Sequence, residues 1–317
     1  MLNSEEQKNG KAVADLSVAI ATRNRPEALS GCLKALLDGH ILPVEIIIVD
    51  QSQDNRTRQL VENFASDRVS LVYIHHKAQG LGAAQNVAIK TARTSIIAVT
   101  DDDCEPNPDW VARIEQALAS PNSIDGLTGR ILPLGPETTG SYAVSSRTSM
   151  KPIEFHGKAM PWYVGSGNNF AVKREWLECI GGNDERLGPG SPGQGGVDMD
   201  LFYRLLRAGA RIRYEPELLV YHARTDKAGR IGRRIPYGYG MGACCTLWLR
   251  QKDPYALRVL ISWFFLRTSR LLEGILRRQW LRVYEEVLVL FGTLKGLLYG
   301  MRVRSAYSNG LNGEKTG

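Results

Sequence analysis

The sequence predicts an α/β chain: a mostly parallel, doubly wound sheet with helices on both faces, followed by a C-terminal amphipathic helical segment. Three observations predict it. Short runs of β-branched residues alternate with segments whose apolar residues recur at helical spacing. Polar residues cluster where the strand-like runs end. After His222 the chain turns into long apolar stretches interleaved with arginine.

The elements follow in order. Leu16–Ile20 is a short apolar run that leads into ATRNRPEAL, where Pro26 opens a helix bearing Leu29, Cys32, Leu33, Leu36 and Leu37. Glu45–Val49 reads EIIIV, without alternation, as a strand buried on both faces does, and ends on Asp50. Ser70–Ile74 precedes GLGAAQNVAIKTA, a helix whose small residues pack close to a sheet. Ile96–Thr100 runs into Asp101, Asp102 and Asp103. In such sheets ligands bind outside the carboxyl ends of the strands, so residues 22–25, Asp50 and the three aspartates converge on one crevice.

From Pro121 to Pro161 only Leu127–Leu132 reads as a strand, and the rest fits a mobile loop over the site. Gly165–Val172 restores the strand signal. The glycine-rich GGNDERLGPGSPGQGG, of a kind used for lids, leads into the helix MDLFYRLLRAG. Arg211–Tyr214 and Leu218–Tyr221 read as closing strands.

The boundaries expected are a flexible tail over 1–14, a catalytic domain over 15–225, a helical region over 226–304 and a second tail over 305–317. Within the helical region, Ala256–Leu266 and Val287–Met301 are apolar but fall short of the roughly 20 residues that span a bilayer. Arg258, Arg267, Arg270, Arg277, Arg278, Arg282 and Lys295 lie in and around them. That pattern points to helices in a membrane interface, the alternative being a helical pair packed on the core or on a second subunit of a homo-oligomer.

Composition narrows the class. A hydrophobic share of 43% with 23% charged residues excludes disorder and fibres. The five cysteines show no CxxC and no zinc spacing, which suits a reducing compartment, and the polar N-terminus has no secretory signal. The formal charge of +7 is concentrated after Lys227, among apolar segments, which fits a membrane surface rather than nucleic acid.

Taken as chemistry, three consecutive carboxylates repel a nucleoside diphosphate unless a cation lies between them, and Mg²⁺ or Mn²⁺ prefers such oxygen ligands. The same run is also what a solvated turn or a helix N-terminus uses; its place at the end of a buried strand favours the site.

The succession SVAIATRNRPEAL, EIIIVDQSQD, GLGAAQNVAI, IIAVTDDDCEP and GGVDMDLFYRLLRAG resembles family 2 glycosyltransferases with the GT-A fold, over roughly Asp15 to His222. The resemblance implies a metal-dependent, inverting transfer of a sugar from a nucleotide-sugar, UDP-sugar foremost, to a hydroxyl. The resemblance does not fix the acceptor; the basic, apolar C-terminal region points to a saccharide or lipid-linked acceptor of envelope or exopolysaccharide synthesis, met from the cytoplasm at the inner membrane face. The resemblance puts Asp101 at the ribose or uracil and Asp103 on the metal, with Asp102 assisting either, and His222 completing the metal sphere, the alternatives being that it contacts phosphate or packs in the core. Thr22, Arg23, Asn24, Asp50 and Gln85 fall where the family binds the nucleotide; Asn24 can equally cap the helix at Pro26. Gln85 stands where many relatives carry arginine, which moves charge neutralisation to the metal and Arg23.

For the catalytic base the family's Glu-Asp pair corresponds to Val197-Asp198, so Asp198 is the candidate. Asp200 competes, but at roughly 100° per residue it lies on another helix face. Trp162, Gly167, Asn168 and Asn169 offer an aromatic face and amides to donor sugar or acceptor, or else enter a strand behind a core tryptophan. Two rivals stay open: a nucleotidyltransferase, although ATRNRPEAL lacks the glycine-rich phosphate loop it needs, and a membrane-associated nucleotide-binding module without turnover, which the departures at Val197 and Gln85 allow.

Overall fold

The structure, a computed structural model, describes residues 11–64, 66–77, 79–120 and 124–303. Most of the expected N-terminal tail (1–10), the C-terminal tail (305–317) and residue 304 lie outside the described residues. The chain divides into two compact units. One runs to Pro192 and resumes over Val197–Gly232; the other comprises Gly193–Gly196 and the chain from Arg233.

The first unit begins with β1 (Val13–Thr22), α1 (Pro26–Leu37), β2 (Leu42–Asp50), α2 (Arg56–Asn63), β3 (Ser70–His75), α3 (Leu81–Thr91) and β4 (Ile96–Asp101). It continues through β5 (Cys104–Pro106), α4 (Trp110–Leu118), β6 (Gly126–Pro133), β7 (Ile153–Phe155), α5 (Pro161–Val164) and β8 (Asn169–Lys173). It closes with α6 (Arg174–Cys179), α7 (Val197–Ala208), β9 (Ile212–His222) and the short α8 (Lys227–Gly232).

One sheet holds all these strands in the order β3-β2-β1-β4-β8-β6-β9-β5, with β7 also pairing β9. The first four pair in parallel, and β8 is antiparallel to both β4 and β6. Since β9 is parallel to β6, strands β1, β2, β3, β4, β6 and β9 point one way; β5, β7 and β8 run against them. The chain therefore delivers most strand ends to one edge, where a crevice forms.

Parity along the strands explains the apolar runs. Val18, Ile20, Ile46 and Ile48 join Leu29, Leu33, Leu36, Trp110 and Ile114 in one cluster. Their strand neighbours Ala19, Ile47, Val49 and Val99 join Ala84, Ala88, Leu201, Phe202 and Leu205 in the other. EIIIV has no polar face because α1 and α4 cover one side of it and α3 and α7 the other. Ile48 has no exposed surface, and truncating it to alanine would cost about 2–5 kcal/mol.

Some expectations need correcting. The two expected closing strands are one, β9, which continues through Pro216. Its register against β6 shifts there from Gly129↔Glu215 to Arg130↔Leu219, and this break in pairing makes the run read as two. Asn24 does not cap α1: the cap position is Arg25, no side chain bonds there, and Asn24 instead takes a left-handed φ of 56°. The stretch between Pro121 and Pro161 is tied down where it is described. Ile131 bridges Arg147, Tyr142 bridges Thr225, and the Arg147 guanidinium donates to the carbonyls of Trp162, Tyr163 and Gly165.

The glycine-rich loop is likewise docked rather than open. Leu81 N–H donates to the Pro189 carbonyl at 2.9 Å. The Asn86 amide accepts from Asn183 N–H at 2.7 Å and donates back to the Asn183 carbonyl and to Glu185. Gly80, at φ 103°, faces the Ser191 backbone, where a Cβ would lie 3.0 Å from the amide nitrogen.

The second unit contains α9 (Arg234–Arg250), α10 (Tyr255–Leu276) and α11 (Trp280–Arg302). Glycines four residues apart share a helix face, and here Gly238 and Gly242 of α9 meet Gly292 and Gly296 of α11. A Cβ on Gly238 would lie 2.0 Å from the Val289 carbonyl oxygen, so the two backbones are in contact. Arg267, expected among the interfacial cations, is instead buried, 3.4 Å from Glu286 and stacked 4.0 Å over the Trp263 ring. The helices α10 and α11, of 22 and 23 residues, outrun the apolar stretches read from sequence. Among the described residues no helix is long and apolar enough to cross a membrane.

Candidate active site

The three-residue β5 brings the acidic run to the last strand. Cys104 pairs with His222 across β5 and β9, and Ala223 N–H donates to the Asp103 carbonyl at 2.9 Å. As a result one potential ligand atom from each of Asp101, Asp103, Cys104 and His222 falls within 4.8 Å of the others. His222 is 6% exposed; its Nδ1 lies 2.8 Å from the Ala223 carbonyl, an acceptor, so Nδ1 carries the proton. Nε2 faces Asp103 Oδ1 at 3.6 Å. A second partner that fixes the tautomer in this way is what a metal-binding imidazole uses.

The electrostatics ask for a cation. Burial, with Asp103 and Asp102 adding, pushes Asp101 up to about 8. Burial pushes Asp102 up to about 6 against the opposing pull of Arg25 and Thr22. Burial, with Asp101 and Asp103, also drives the Cys104 thiol well above its usual range, so it stays neutral beside the acids. Two carboxylates and an imidazole, short of positive charge, fit Mn²⁺ or Mg²⁺.

Asp102 is oriented differently from its neighbours. It has no exposed surface, its Oδ2 accepts from Thr22 Oγ1 at 2.7 Å, and its Oδ1 is 2.5 Å from the Arg25 guanidinium. The other end of that guanidinium donates to Asp103 Oδ2 at 2.8 Å. Arg25 is thus a cation paired with the acidic run, a residue the sequence reading did not single out beside Arg23. The available signal was its position just before the proline at the start of α1, at the mouth of the crevice.

The remaining nucleotide candidates differ in reach. Asp50 ends β2 as expected but is fully buried, its carboxylate accepting from the Tyr73 hydroxyl at 2.8 Å and from Ser52 N–H at 2.8 Å. It therefore acts on the crevice by holding the loop after β2. That loop's Ser52 hydroxyl in turn accepts from Asn24 N–H at 2.7 Å. Gln85 is buried in α3, at 4% exposure.

Across the crevice, Asp198 stands in the first turn of α7. Its Oδ2 accepts from Gly167 N–H at 3.1 Å and its Oδ1 from Met199 N–H at 2.9 Å. Burial raises its carboxyl above the ordinary value even though these amides pull the other way, and its charge reaches Asp101. The competitor Asp200 is removed by geometry: it is buried and paired to Arg204 at 2.7 Å.

Trp162 is half-buried in α5. Asn168 places its Nδ2 3.6 Å from Cys104 Sγ, and its buried Oδ1 has no hydrogen-bond partner. Asn169 must be withdrawn from the sugar-binding set. It has no exposed surface, its oxygen accepts from Trp110 Nε1 at 2.9 Å, and its amide nitrogen donates to the Arg130 and Leu218 carbonyls. Every hydrogen-bonding position of its side chain facing those strands is in use inside the core.

A largely parallel sheet whose strand ends gather an acidic run, with a further carboxylate at the start of α7, is a GT-A-type architecture. Residues 17–181 match the sequence model of Glycosyl transferase family 2, and the chain belongs to that family. The pre-mycofactocin glycosyltransferase of Mycobacterium tuberculosis is 27% identical over 261 residues, covering 80% of this chain and 51% of that protein. The chondroitin synthase of Escherichia coli is 25% identical over 271 residues, covering 71% and 39%. The chain thus spans about half or less of the length of these curated relatives. Among solved structures, the mannosyltransferase PcManGT from Pyrobaculum calidifontis, in complex with GDP-Man and Mn²⁺, superposes with a TM-score of 0.59. It is 18% identical, with 90% of each chain covered. TarS 1-349 of S. aureus with UDP-GlcNAc gives 0.57 at 15% identity, covering 73% of this chain and 65% of the other.

Proposed function

We propose that the chain transfers a sugar from a nucleotide-sugar, with UDP-sugar the first choice, to an acceptor hydroxyl, with inversion and with a divalent metal. The observation that carries this reading is the meeting of Asp101, Asp103 and His222 within 4.8 Å at the strand ends, opposite a carboxylate anchored by two backbone amides.

Asp103, His222 Nε2 and Asp101 would hold the metal, which would supply positive charge against the diphosphate. Arg25 adds a cation at the outer edge of the same charge and so takes over part of what an arginine at Gln85 would supply. Thr22 keeps Asp102 turned away from the metal, and Asp50 fixes the loop that carries Ser52 against Asn24. Arg23, Asn24 and Gln85 line the nucleotide side.

Asp198 accepts the proton of the acceptor hydroxyl, with Gly167 and Met199 N–H groups fixing its orientation. Attack from the Asp198 side, away from the diphosphate, inverts the anomeric carbon. Trp162 offers a ring face to a sugar, and Asn168 Oδ1 offers a free acceptor. The relatives named chondroitin synthase support a saccharide acceptor, and we place the enzyme at the inner membrane face on a lipid-linked or polysaccharide acceptor.

The test is release of UDP or GDP from a panel of nucleotide-sugars with Mn²⁺, with the anomer of the sugar product followed by NMR. Metal-dependent release with an inverted anomer supports the reading. Release of a retained anomer, or none with any donor in a full panel, overturns it.

A further inference from the structure

We propose that α10 and α11 present one continuous type of surface, an amphipathic face that lies on an anionic lipid bilayer. This deepens the membrane placement above and rests on it, but it concerns the helical unit alone.

On α11 the exposed apolar residues Trp280, Tyr284, Val287, Phe291, Leu294 and Leu298 advance by four and three residues in alternation. At roughly 100° per residue they occupy an arc of about 100°, one stripe along the helix. On α10, Leu257, Ile261, Phe265, Leu272 and Leu276 advance by four or seven residues and fall in a similar arc, with Phe265 73% and Leu276 82% exposed. These are not displaced core positions. The opposite faces are already filled: Gly292, Gly296 and Thr293 lie against α9, and Val259, Trp263 and Arg267 are buried.

Charge decides what covers the stripe. Among the described residues of the two helices and the turn between them, the exposed charged side chains are Arg258, Arg270, Arg277, Arg278, Lys295 and Arg302, all cationic. Glu285 and Glu286 are buried, and Glu273 is ion-paired to Arg277 and Arg282. A second copy would set like-charged rims against each other, without the acids that flank paired helices. Residues 304–317 supply only Ala306, Tyr307 and Leu311 as apolar cover. Anionic headgroups match the rim. Lys295 lies with its ammonium 4.7 Å over the Phe291 ring, the posture of a cation whose stem follows apolar surface to reach a charged layer. Since neither helix can cross a membrane, the face lies in the interface.

The experiment is co-sedimentation of the full chain with vesicles of phosphatidylcholine alone or mixed with phosphatidylglycerol, at low and high salt. Binding to the anionic vesicles is expected at low salt, weakened at least about tenfold by neutral lipid or high salt. The double variant F265S/F291S should lose about tenfold or more, and R277Q/R278Q, which leaves the apolar stripe intact, should lose binding to anionic lipid in the same direction. UDP binding with Mn²⁺ should be unchanged in both, which separates this proposal from the catalytic one. No binding to anionic vesicles, or binding indifferent to both variants, overturns it. So does a dimer in sedimentation equilibrium that F265S/F291S dissolves, since that assigns the face to a second copy.

Discussion

Arg25 and Asp103 share a hydrogen bond of 2.8 Å, and the same guanidinium reaches Asp102 at 2.5 Å. The carboxylate proposed to hold the metal is therefore already engaged by a cationic side chain, one that a diphosphate would attract.

The consequence is a sign reversal between two affinities. In Arg25→Gln the acidic run loses its internal cation, so Mn²⁺ alone should bind about tenfold more tightly, a change of about 1.4 kcal/mol. The nucleotide in the presence of Mn²⁺ should bind about tenfold more weakly. Titration of Mn²⁺ followed by its paramagnetic signal, and calorimetry of UDP, read the two separately; a fall in both would assign Arg25 to structure.

His222 Nδ1–H donates a hydrogen bond to the Ala223 carbonyl, which fixes the tautomer. His222→Ala should weaken Mn²⁺ binding by about 10–100-fold. Comparison of thermal unfolding with and without Mn²⁺ checks this: the shift that metal gives to the parent should shrink in the variant. An undiminished shift would show that the imidazole is no ligand.

For Asp198→Asn, transfer should fall by about 10²–10⁴-fold with nucleotide affinity nearly unchanged. The pH profile adds a second reading. Burial lifts the Asp198 carboxyl above its ordinary value of 3.8, and the base acts only as carboxylate. Activity should therefore decline as pH falls through that raised value and be full above it. A profile flat down to pH values near an ordinary aspartate's would deny Asp198 the role.

Two adjacent asparagines should respond oppositely. Asn169→Ala takes the partner from the buried Trp110 N–H and one donor each from two strand carbonyls, and should cost about 3 kcal/mol of stability, seen in urea unfolding. Asn168→Ala removes an unpartnered oxygen and one weak contact to Cys104 Sγ, so stability should fall by less than in Asn169→Ala while transfer drops.

The alternating apolar periods were enough to read the sheet and the crevice, because EIIIV and IIAVT are covered on both faces and end on acids. What escaped was set by partners far along the chain. Cys104–Pro106 is too short for any periodicity, yet its pairing with β9 is what carries His222 to Asp103. Arg25 resembles any loop arginine until β4 places the acids beside it. Asn168 and Asn169 look equivalent in sequence, and only the strands around them separate a core bracket from a free acceptor. Arg267 read as an interfacial cation because its partner Glu286 lies on another helix.

The most direct measurement is calorimetric titration of UDP and of GDP into the full chain with Mn²⁺, repeated with excess chelator and with Asp103→Asn. The account predicts binding of one nucleotide that requires Mn²⁺ and is lost in the variant. Nucleotide binding that survives both the chelator and the substitution would contradict it.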